Sequence, residues 1–127
     1  MLEHFPVTEY AFAREKYFKA WEEARNILPV PYFPNVTMGW DNSPRCARGV
    51  PWTKPMRHVL TPALVGNTPQ EFQKTMEMVK GTLEAMPEQP RTIIINAWNE
   101  WPESSVLEPE ERYGYGYLDA IRNVFGK

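Results

Sequence analysis

Cysteine, histidine and long apolar runs are scarce in this sequence of 127 residues. A single cysteine, Cys46, excludes a disulfide within the chain, and two histidines make a Cys/His zinc site unexpected. No apolar run approaches the roughly 18 residues that a membrane helix requires. The first residues also lack the basic flank and apolar stretch of a secretory signal. We therefore expect neither a membrane protein nor a disulfide scaffold, and the compartment stays open, with the cytoplasm as the default.

The sequence also lacks a large excess of positive or negative charge, because its 14 basic and 16 acidic residues give a net charge of only -2. This balance gives no electrostatic footprint for nucleic acid or for an anionic membrane surface. The hydrophobic share of 43% is enough for one core, so a single domain over residues 1–127 is predicted. What the chain does have is 13 prolines and 17 aromatic residues, counting five Trp, six Tyr and six Phe. Such a composition predicts long, stiffened loops that carry aromatic surface.

Three segments have the periodicity of amphipathic helices. The first is Thr8 to Leu28, and the last contains Tyr117 to Phe125. The middle helix starts at Thr68-Pro69-Gln70-Glu71, where Thr68 can cap, Pro69 suits the first position and Glu71 can complete a capping box. Its apolar stripe continues to Met86.

Two segments between the helices have the character of strands. Asn35 to Trp40 alternates apolar residues, and Thr92 to Trp98 is a β-branched run typical of a parallel strand covered on both faces. Helices and strands alternate, which predicts an α/β architecture with a parallel sheet. Two strands alone would leave unpaired edges. Either further strands escape this pattern, or other copies or another polypeptide complete the sheet.

Long loops follow both predicted strands. One runs from Asp41 to Asn67 and the other from Asn99 to Arg112. Ligands of parallel α/β proteins gather at the carboxyl ends of the strands, and long loops in compact domains are usually functional. We therefore expect the functional side chains in these two loops.

Glu100 and Glu103 are the candidate catalytic residues. Three positions apart at a strand end, their carboxyl groups are expected between about 5 and about 10 Å from each other. This range includes the separations of the paired carboxylates of glycosidases. The alternative is that they are solvated acidic residues of an ordinary loop.

Indole rings accompany the two glutamates at the strand ends. Trp40, Trp98 and Trp101 offer flat apolar faces of the kind that stack on sugar rings. Each could instead cover core. Polar neighbours favour saccharide recognition, and these are Asn96, Asn99, Asp41 and Arg45. Arg45 could instead hold Asp41 in a structural ion pair.

A metal site is the weaker reading of the same residues. Asp41, Glu100, Glu103 and His58 could ligate a divalent cation, but nothing in their spacing demands it. No metal or organic cofactor is predicted.

Two strings of residues resemble motifs of a known family. Gly39 to Arg45 reads GWDNSPR, and Asn96 to Glu103 reads NAWNEWPE, continuing through LEP and YGY at residues 107–109 and 113–115. They are similar to the GWDNTPR and NAWNEWAEG segments of glycoside hydrolase family 99-like proteins, including the lipopolysaccharide-biosynthesis (WbsX-like) branch. The resemblance covers nearly the whole chain but only the C-terminal part of the family's domain.

The resemblance implies a partial (β/α)8 TIM barrel, made of the last two β/α units and a preceding helix and completed by self-association. It also implies retaining cleavage of α-mannosidic linkages by the two glutamates. Glu100 would assist attack by the sugar's own 2-hydroxyl, giving a 1,2-anhydro intermediate, and Glu103 would be the general acid/base. The sugar subsite would be shaped by five further residues, Asn99, Trp98, Trp101, Trp40 and Asp41.

The sequence departs from the family pattern directly after the motif. Pro102, Ser104 and Ser105 stand in place of a small residue and a glycine-containing stretch. Proline at 102 biases the preceding Trp101 toward an extended conformation.

The leading hypothesis is a glycoside hydrolase-like protein that acts on a polysaccharide or oligosaccharide and forms a homo-oligomer. One alternative is a non-catalytic carbohydrate-binding or remnant module. Another is a subunit completed in trans by a separately encoded N-terminal half. The sugar, the linkage and the choice between hydrolysis and transfer are left open.

Overall fold

Three α-helices lie in residues 6–46, 48–49, 62–88 and 90–126, which are the residues that the computed structural model describes. They are α1 (Tyr10–Ile27), α2 (Pro69–Glu84) and α3 (Gly116–Phe125). All three correspond to predicted helices. At the start of α2 the backbone N–H of Glu71 donates to Thr68 Oγ1 at 3.2 Å, so the predicted cap forms.

Six short strands accompany the helices in the described part of the chain. They are β1 (Val7–Glu9), β2 (Asn35–Thr37), β3 (Ala63–Val65), β4 (Ile94–Asn96), β5 (Asn99–Glu100) and β6 (Ser105–Val106). β1 pairs with β3 in parallel, and β2 pairs with β4 in parallel with Val36 opposite Ile95. β5 and β6 form a small antiparallel hairpin.

Strands β1 and β3 were not predicted, so the sequence pattern did miss strands, which is the first of the two explanations offered for the low strand count. Each has three residues, which is too short for an alternating pattern to be recognised. β1 merges with the predicted helix that began at Thr8, and β3 lies near the end of the predicted loop. The backbone N–H of Leu64 in β3 donates to the carbonyl oxygen of Trp40 at 2.8 Å, so β3 lies beside the chain that leaves β2.

The prediction that residues 92–98 form a strand covered on both faces was wrong in extent and burial. β4 has three residues, and the side chain of Ile94 is 50% exposed. Within the described residues β4 pairs only with β2, and the chain then turns into the β5–β6 hairpin. The apolar run therefore predicted the position of β4 but not the solvent exposure of its side chains.

The core lies between the β2–β4 pair and the helices. Trp21 of α1 and the end of β2 meet the apolar stripe of α2, and the ring of Phe72 packs edge-on against Tyr117 of α3 at 5.5 Å. This core confirms the predicted stripe of α2. Its buried members are Trp21, Val36, Met38, Phe72, Met76, Val79, Leu83, Tyr117, Ala120 and Val124.

The described residues thus form a mixed α/β fold with small sheets and three helices. They do not close into a barrel, and β1 has β3 as its neighbour where consecutive strands of a (β/α)8 barrel would pair. None of the three helices in the described part of the chain is both long and apolar enough to span a bilayer.

Candidate active site

The segments that follow β2 and β4 meet at one end of the sheet. The backbone N–H of Asp41 donates to the carbonyl oxygen of Glu103 at 2.8 Å. Each segment also forms a single 3-10 turn, one over Ser43–Arg45 and the other over Trp101–Glu103. Because β2 and β4 are parallel, their carboxyl ends share an edge, which is why the two sequence motifs come together.

Arg45 contacts both candidate catalytic carboxylates. Its Nη2 lies 3.3 Å from Glu100 Oε2 and 3.4 Å from Glu103 Oε1. The side chains of Arg45 and Glu100 are half-exposed, whereas Glu103 is 22% exposed. The predicted alternative that Arg45 pairs with Asp41 is not what the structure has, because the guanidinium turns toward the glutamates and Asp41 Oδ1 instead accepts the backbone N–H of Ser43 at 2.9 Å.

The separation of the two carboxylates follows from this shared contact. Since both distances are measured from one nitrogen, Glu100 Oε2 and Glu103 Oε1 lie within about 7 Å of each other. The spacing of about 5 Å found in retaining glycosidases falls inside this limit, and most of the inverting range of about 6.5–9.5 Å falls outside it. The carboxylates lie close to each other, and the structure excludes the part of the expected range beyond about 7 Å for these two oxygens.

The β5–β6 hairpin sets the course of the chain through the second motif. Trp101 belongs to the 3-10 turn and its carbonyl accepts the backbone N–H of Ser104 at 3.1 Å, so the predicted extended Trp101 is wrong. This turn reverses the chain between β5 and β6, and the turn overrides the local bias that Pro102 imposes. Ser104 closes it with φ at 52°, in the left-handed region where glycine is the usual residue.

Two of the predicted sugar-binding indoles are open to solvent. Trp98 is 53% exposed and Trp101 is 52% exposed, so neither serves as buried core. Trp101 Nε1 donates to Glu108 Oε1 at 2.9 Å, which fixes the orientation of its ring. Asn99 is exposed in β5 opposite Val106. All three residues lie within two positions of Glu100 in the chain and are exposed.

Trp40 and Asp41 line a cavity next to the carboxylate pair. Its volume is about 330 Å³, and Ser104, which follows Glu103 in the chain, lines it as well. Neither glutamate is among its lining residues. A larger cavity of about 540 Å³ lies between α1 and the β2–β4 pair and also reaches Trp40. Both cavities are therefore adjacent to the first motif.

A buried polar network beneath the site was not predicted. Ser105 is fully buried, and its Oγ donates to the backbone oxygen of Asn96 at 2.6 Å and lies 2.9 Å from Thr37 Oγ1. Asn96 Nδ2 also donates to Ser105 Oγ at 3.1 Å. The network joins β2, β4 and β6, and Ser105 lies two residues after Glu103. Serine in a loop motif gives no sequence signal for such burial, although Asn96 was noted as a polar neighbour.

Gly39 is required by a close approach of two loops. A β-carbon at Gly39 would lie 2.5 Å from Asn67 Nδ2 and 3.0 Å from the carbonyl oxygen of Ser104. Asn67 Nδ2 donates to the carbonyl oxygen of Met38 at 3.1 Å, and Tyr117 donates its hydroxyl to the carbonyl oxygen of Asn67 at 2.9 Å. The glycine of the first motif thus allows the second motif to pack against it.

Buried tyrosines hold these loops as neutral donors. Burial, reinforced by the neighbouring Tyr113, raises the pKa of Tyr117 well above its ordinary value of 10.0. Burial likewise raises the pKa of Tyr10, which donates to the carbonyl oxygen of Thr37 at 2.7 Å. Both hydroxyls are therefore protonated at neutral pH.

The metal alternative has little geometric basis. No three His, Cys, Asp or Glu side chains are placed to hold a metal ion within the part of the chain that the structure describes. His58, one of the four ligands considered, lies outside the described residues.

A comparison with protein families identifies the chain. The family described as glycosyltransferase WbsX matches residues 3–121. The chain belongs to the WbsX family. The resemblance inferred from the two motifs is therefore confirmed. The description of the family as a glycosyltransferase associates this WbsX family member with carbohydrates.

Two curated relatives support the assignment to the WbsX family. Both bear the name uncharacterized protein WxcX and come from two strains of Xanthomonas campestris pv. campestris. Each is 35% identical to the chain over 103 residues, which is 80% of this chain and 13% of the relative. The chain thus spans about an eighth of the length of the curated relatives it matches. No solved structure matches it.

Proposed function

We propose that this chain carries the catalytic carboxylates of a retaining enzyme that cleaves glycosidic bonds in a polysaccharide or oligosaccharide. The observation that supports this most is the convergence of Glu100 and Glu103 on Arg45 Nη2, at 3.3 and 3.4 Å. Membership of a carbohydrate-associated family and the exposed indoles beside the pair point to the same class of substrate.

The roles of the two glutamates follow the family motif. The Glu100 carboxylate accepts the proton of the sugar's 2-hydroxyl as that oxygen forms a bond to C1. The bond from C1 to the leaving oxygen breaks in the same step, and Glu103 donates a proton to that oxygen. Glu103 then takes a proton from water as the water opens the 1,2-anhydro ring at C1, and Glu100 returns its proton to O2. Both carboxyl groups end as they began.

The remaining predicted site residues bind the sugar. Trp98 and Trp101 present half-exposed rings that can stack on sugar faces, while Asn99 can hydrogen-bond hydroxyl groups at the rim. Trp40 and Asp41 line the adjoining cavity and would receive the next sugar unit. Arg45 contributes by holding both carboxylates in place. No cofactor is part of this mechanism.

Transfer is the variant of this reaction that the family's description favours. In the second step, a sugar hydroxyl in place of water would accept the glycosyl group with the same proton movements. The two outcomes share Glu100 and Glu103, and analysis of the products separates them, since transfer gives longer saccharides and hydrolysis gives free reducing ends.

Turnover by variants of the two glutamates tests the proposal. Using α-mannan oligosaccharides and other α-linked saccharides, Glu100→Gln and Glu103→Gln should each lower the release of sugar by at least about a thousandfold. Glu111→Gln, which changes an exposed glutamate outside the pair, serves as the matched control and should retain activity. Unchanged turnover in both test variants would refute the catalytic role.

A second candidate function is carbohydrate binding without turnover. The exposure of Trp98 and Trp101 favours it, because two half-exposed indoles are a binding surface whether or not the glutamates react. Saccharide binding by a wild-type chain that forms no product would support this candidate, and loss of binding in Trp98→Ala would assign it to the indoles.

We also propose that the β2–β4 pair, which leads into both motifs, is part of a (β/α)8 barrel completed by other copies of the chain. Three apolar strand residues are exposed, namely Val7 at 45%, Val65 at 37% and Ile94 at 50%, as expected if further strands cover them. With one such pair in each copy, four copies would supply eight strands. Light scattering that gives a well-folded monomer would refute self-association. If a separately encoded N-terminal half completes the barrel instead, the isolated chain should aggregate, and co-expression with that half should keep it folded.

A further inference from the structure

The cavity beside the carboxylate pair has the size and polarity of a subsite for one sugar unit. Its volume of about 330 Å³ lies at the lower end of the range of about 300–1,000 Å³ for ligand pockets. The walls combine aromatic rings with hydrogen-bonding groups. Those used below are Trp40, Asp41, Asn67, Arg112 and Tyr113.

Arg112 brings to this cavity a cation that forms no ion pair with the described residues. Its guanidinium lies over the ring of Tyr113, 4.8 Å from the ring centroid, and none of the ion pairs among the described residues includes it. The side chain is exposed, so the guanidinium is accessible to a ligand.

The carboxylate of Glu110, two residues before Arg112, is used by the backbone. Glu110 Oε2 accepts the backbone N–H of Arg112 at 2.6 Å, and Glu110 Oε1 accepts that of Tyr113 at 2.6 Å. Both oxygens therefore close the turn before α3. The guanidinium keeps its donors for a ligand, and its planar fork fits a carboxylate with two parallel hydrogen bonds.

Acceptors for sugar hydroxyls lie in the same cavity. Asn67 Nδ2 donates to Met38, while its Oδ1 accepts no hydrogen bond from the described residues. Asp41 Oδ1 accepts the backbone N–H of Ser43, which leaves the second carboxylate oxygen for a hydroxyl. The indole of Trp40 supplies an apolar wall for the face of a ring.

We propose that this cavity binds an acidic sugar unit, with Arg112 pairing with the carboxylate of the sugar. The inference rests on the proposed function, since it names the class of saccharide that reaches Glu100 and Glu103. Continuity with the catalytic pair is direct: Ser104, which lines the cavity, follows Glu103, and Asp41 is hydrogen-bonded to the backbone of Glu103.

Titration with two matched sugars tests the acidic subsite. The probes are two α-linked disaccharides that differ only at C6 of one unit, which is a hydroxymethyl group in one and a carboxylate in the other. NMR shift changes of the 127-residue chain measure the affinity for each. We expect the acidic disaccharide to bind about tenfold more tightly, as one charge-assisted pair warrants.

Variants of Arg112 assign that preference. Arg112→Gln should abolish the preference for the acidic disaccharide. Arg112→Lys should retain part of this preference, because the positive charge stays while the two parallel hydrogen bonds of the guanidinium are lost. Arg122→Gln is the matched control, since Arg122 is an exposed arginine of α3 that pairs with Asp119 away from the cavity. It should keep the full preference.

The outcomes separate this inference from the proposed cleavage. Equal binding of the two sugars, no binding of either to the folded chain, or a preference unchanged in Arg112→Gln would each overturn the acidic subsite. The same spectra report cleavage. A retained preference without any cleavage supports the subsite and removes the catalytic proposal, while cleavage without preference does the reverse.

Discussion

The backbone N–H of Asp41 and the carbonyl oxygen of Glu103 are joined by a hydrogen bond of 2.8 Å. This bond connects the first motif, which follows β2, with the second motif, which follows β4. With Arg45 lying against both glutamates, it makes the two motifs one structural unit. A change in either motif is therefore expected to affect the other.

Arg45 is expected to act as a positioning residue for the carboxylate pair. In Arg45→Gln the two carboxylates lose the cation between them and repel each other, so kcat should fall by about 10–100-fold with a smaller change in KM. Arg45→Lys should recover part of the loss, because the lysine ammonium keeps the positive charge but not the planar guanidinium that reaches both carboxylates. Steady-state kinetics on both variants measures this split. A change in KM alone would instead make Arg45 a substrate-binding residue, as its sequence position predicted.

Gly39→Ala should destabilise the chain by about 1–3 kcal/mol, because the new β-carbon would collide with Asn67 Nδ2 and the backbone of Ser104. The free energy of unfolding in urea measures this. Gly81→Ala is the matched control: it lies within α2, nothing lies within 4 Å of its β-carbon position, and it should stabilise the chain by up to about 1 kcal/mol. Equal stability of Gly39→Ala and wild type would contradict the close approach of the loops.

Glu71 should make stability depend on pH in the acidic range. Hydrogen bonds from Lys74 and from Arg14, at 2.5 and 2.7 Å, lower its pKa from the ordinary 4.5. A lowered pKa in the folded state means that the stabilisation is complete above about pH 4.5 and is lost as the pH falls through the lowered value.

Glu71→Gln should therefore be less stable than wild type at pH 7, by up to about 1 kcal/mol, with the difference shrinking toward zero in acid. Unfolding curves at several pH values check this. The exposed Glu22 of α1 offers the control, since Glu22→Gln should follow the wild-type curve at every pH. A Glu71→Gln deficit that persists at low pH would contradict the ionic origin.

Helices and motifs could be predicted from the sequence because their signals are local. The stripe of α2 and the cap at Thr68 depend on neighbours three or four residues away, and both are present in the structure. The two strings of motif residues identified the family for the same reason. The parallel arrangement of β2 and β4 was enough to predict that Glu100 and Glu103 would lie near the first motif.

Features that depend on distant partners could not be predicted. β1 and β3 are recognisable as strands only through their pairing with each other. Ile94 was expected to be buried because it belongs to an apolar run, but the sequence does not show which elements cover a strand, and Ile94 is exposed. The alternative that Arg45 pairs with Asp41 was wrong, because the ion-pair partners of Arg45 come from the segment after β4. The conformation of Trp101 was decided by the hairpin and not by Pro102.

The stereochemistry of the first product is the most direct measurement of the paired-carboxylate proposal. Proton NMR of the anomeric signals, recorded within the first minutes of cleavage of an α-linked saccharide, should show the α-anomer released first. Net retention is expected because the two carboxylate oxygens lie within about 7 Å of each other. Release of the β-anomer first, or α-anomer formation that persists undiminished in Glu100→Gln and Glu103→Gln, would contradict it.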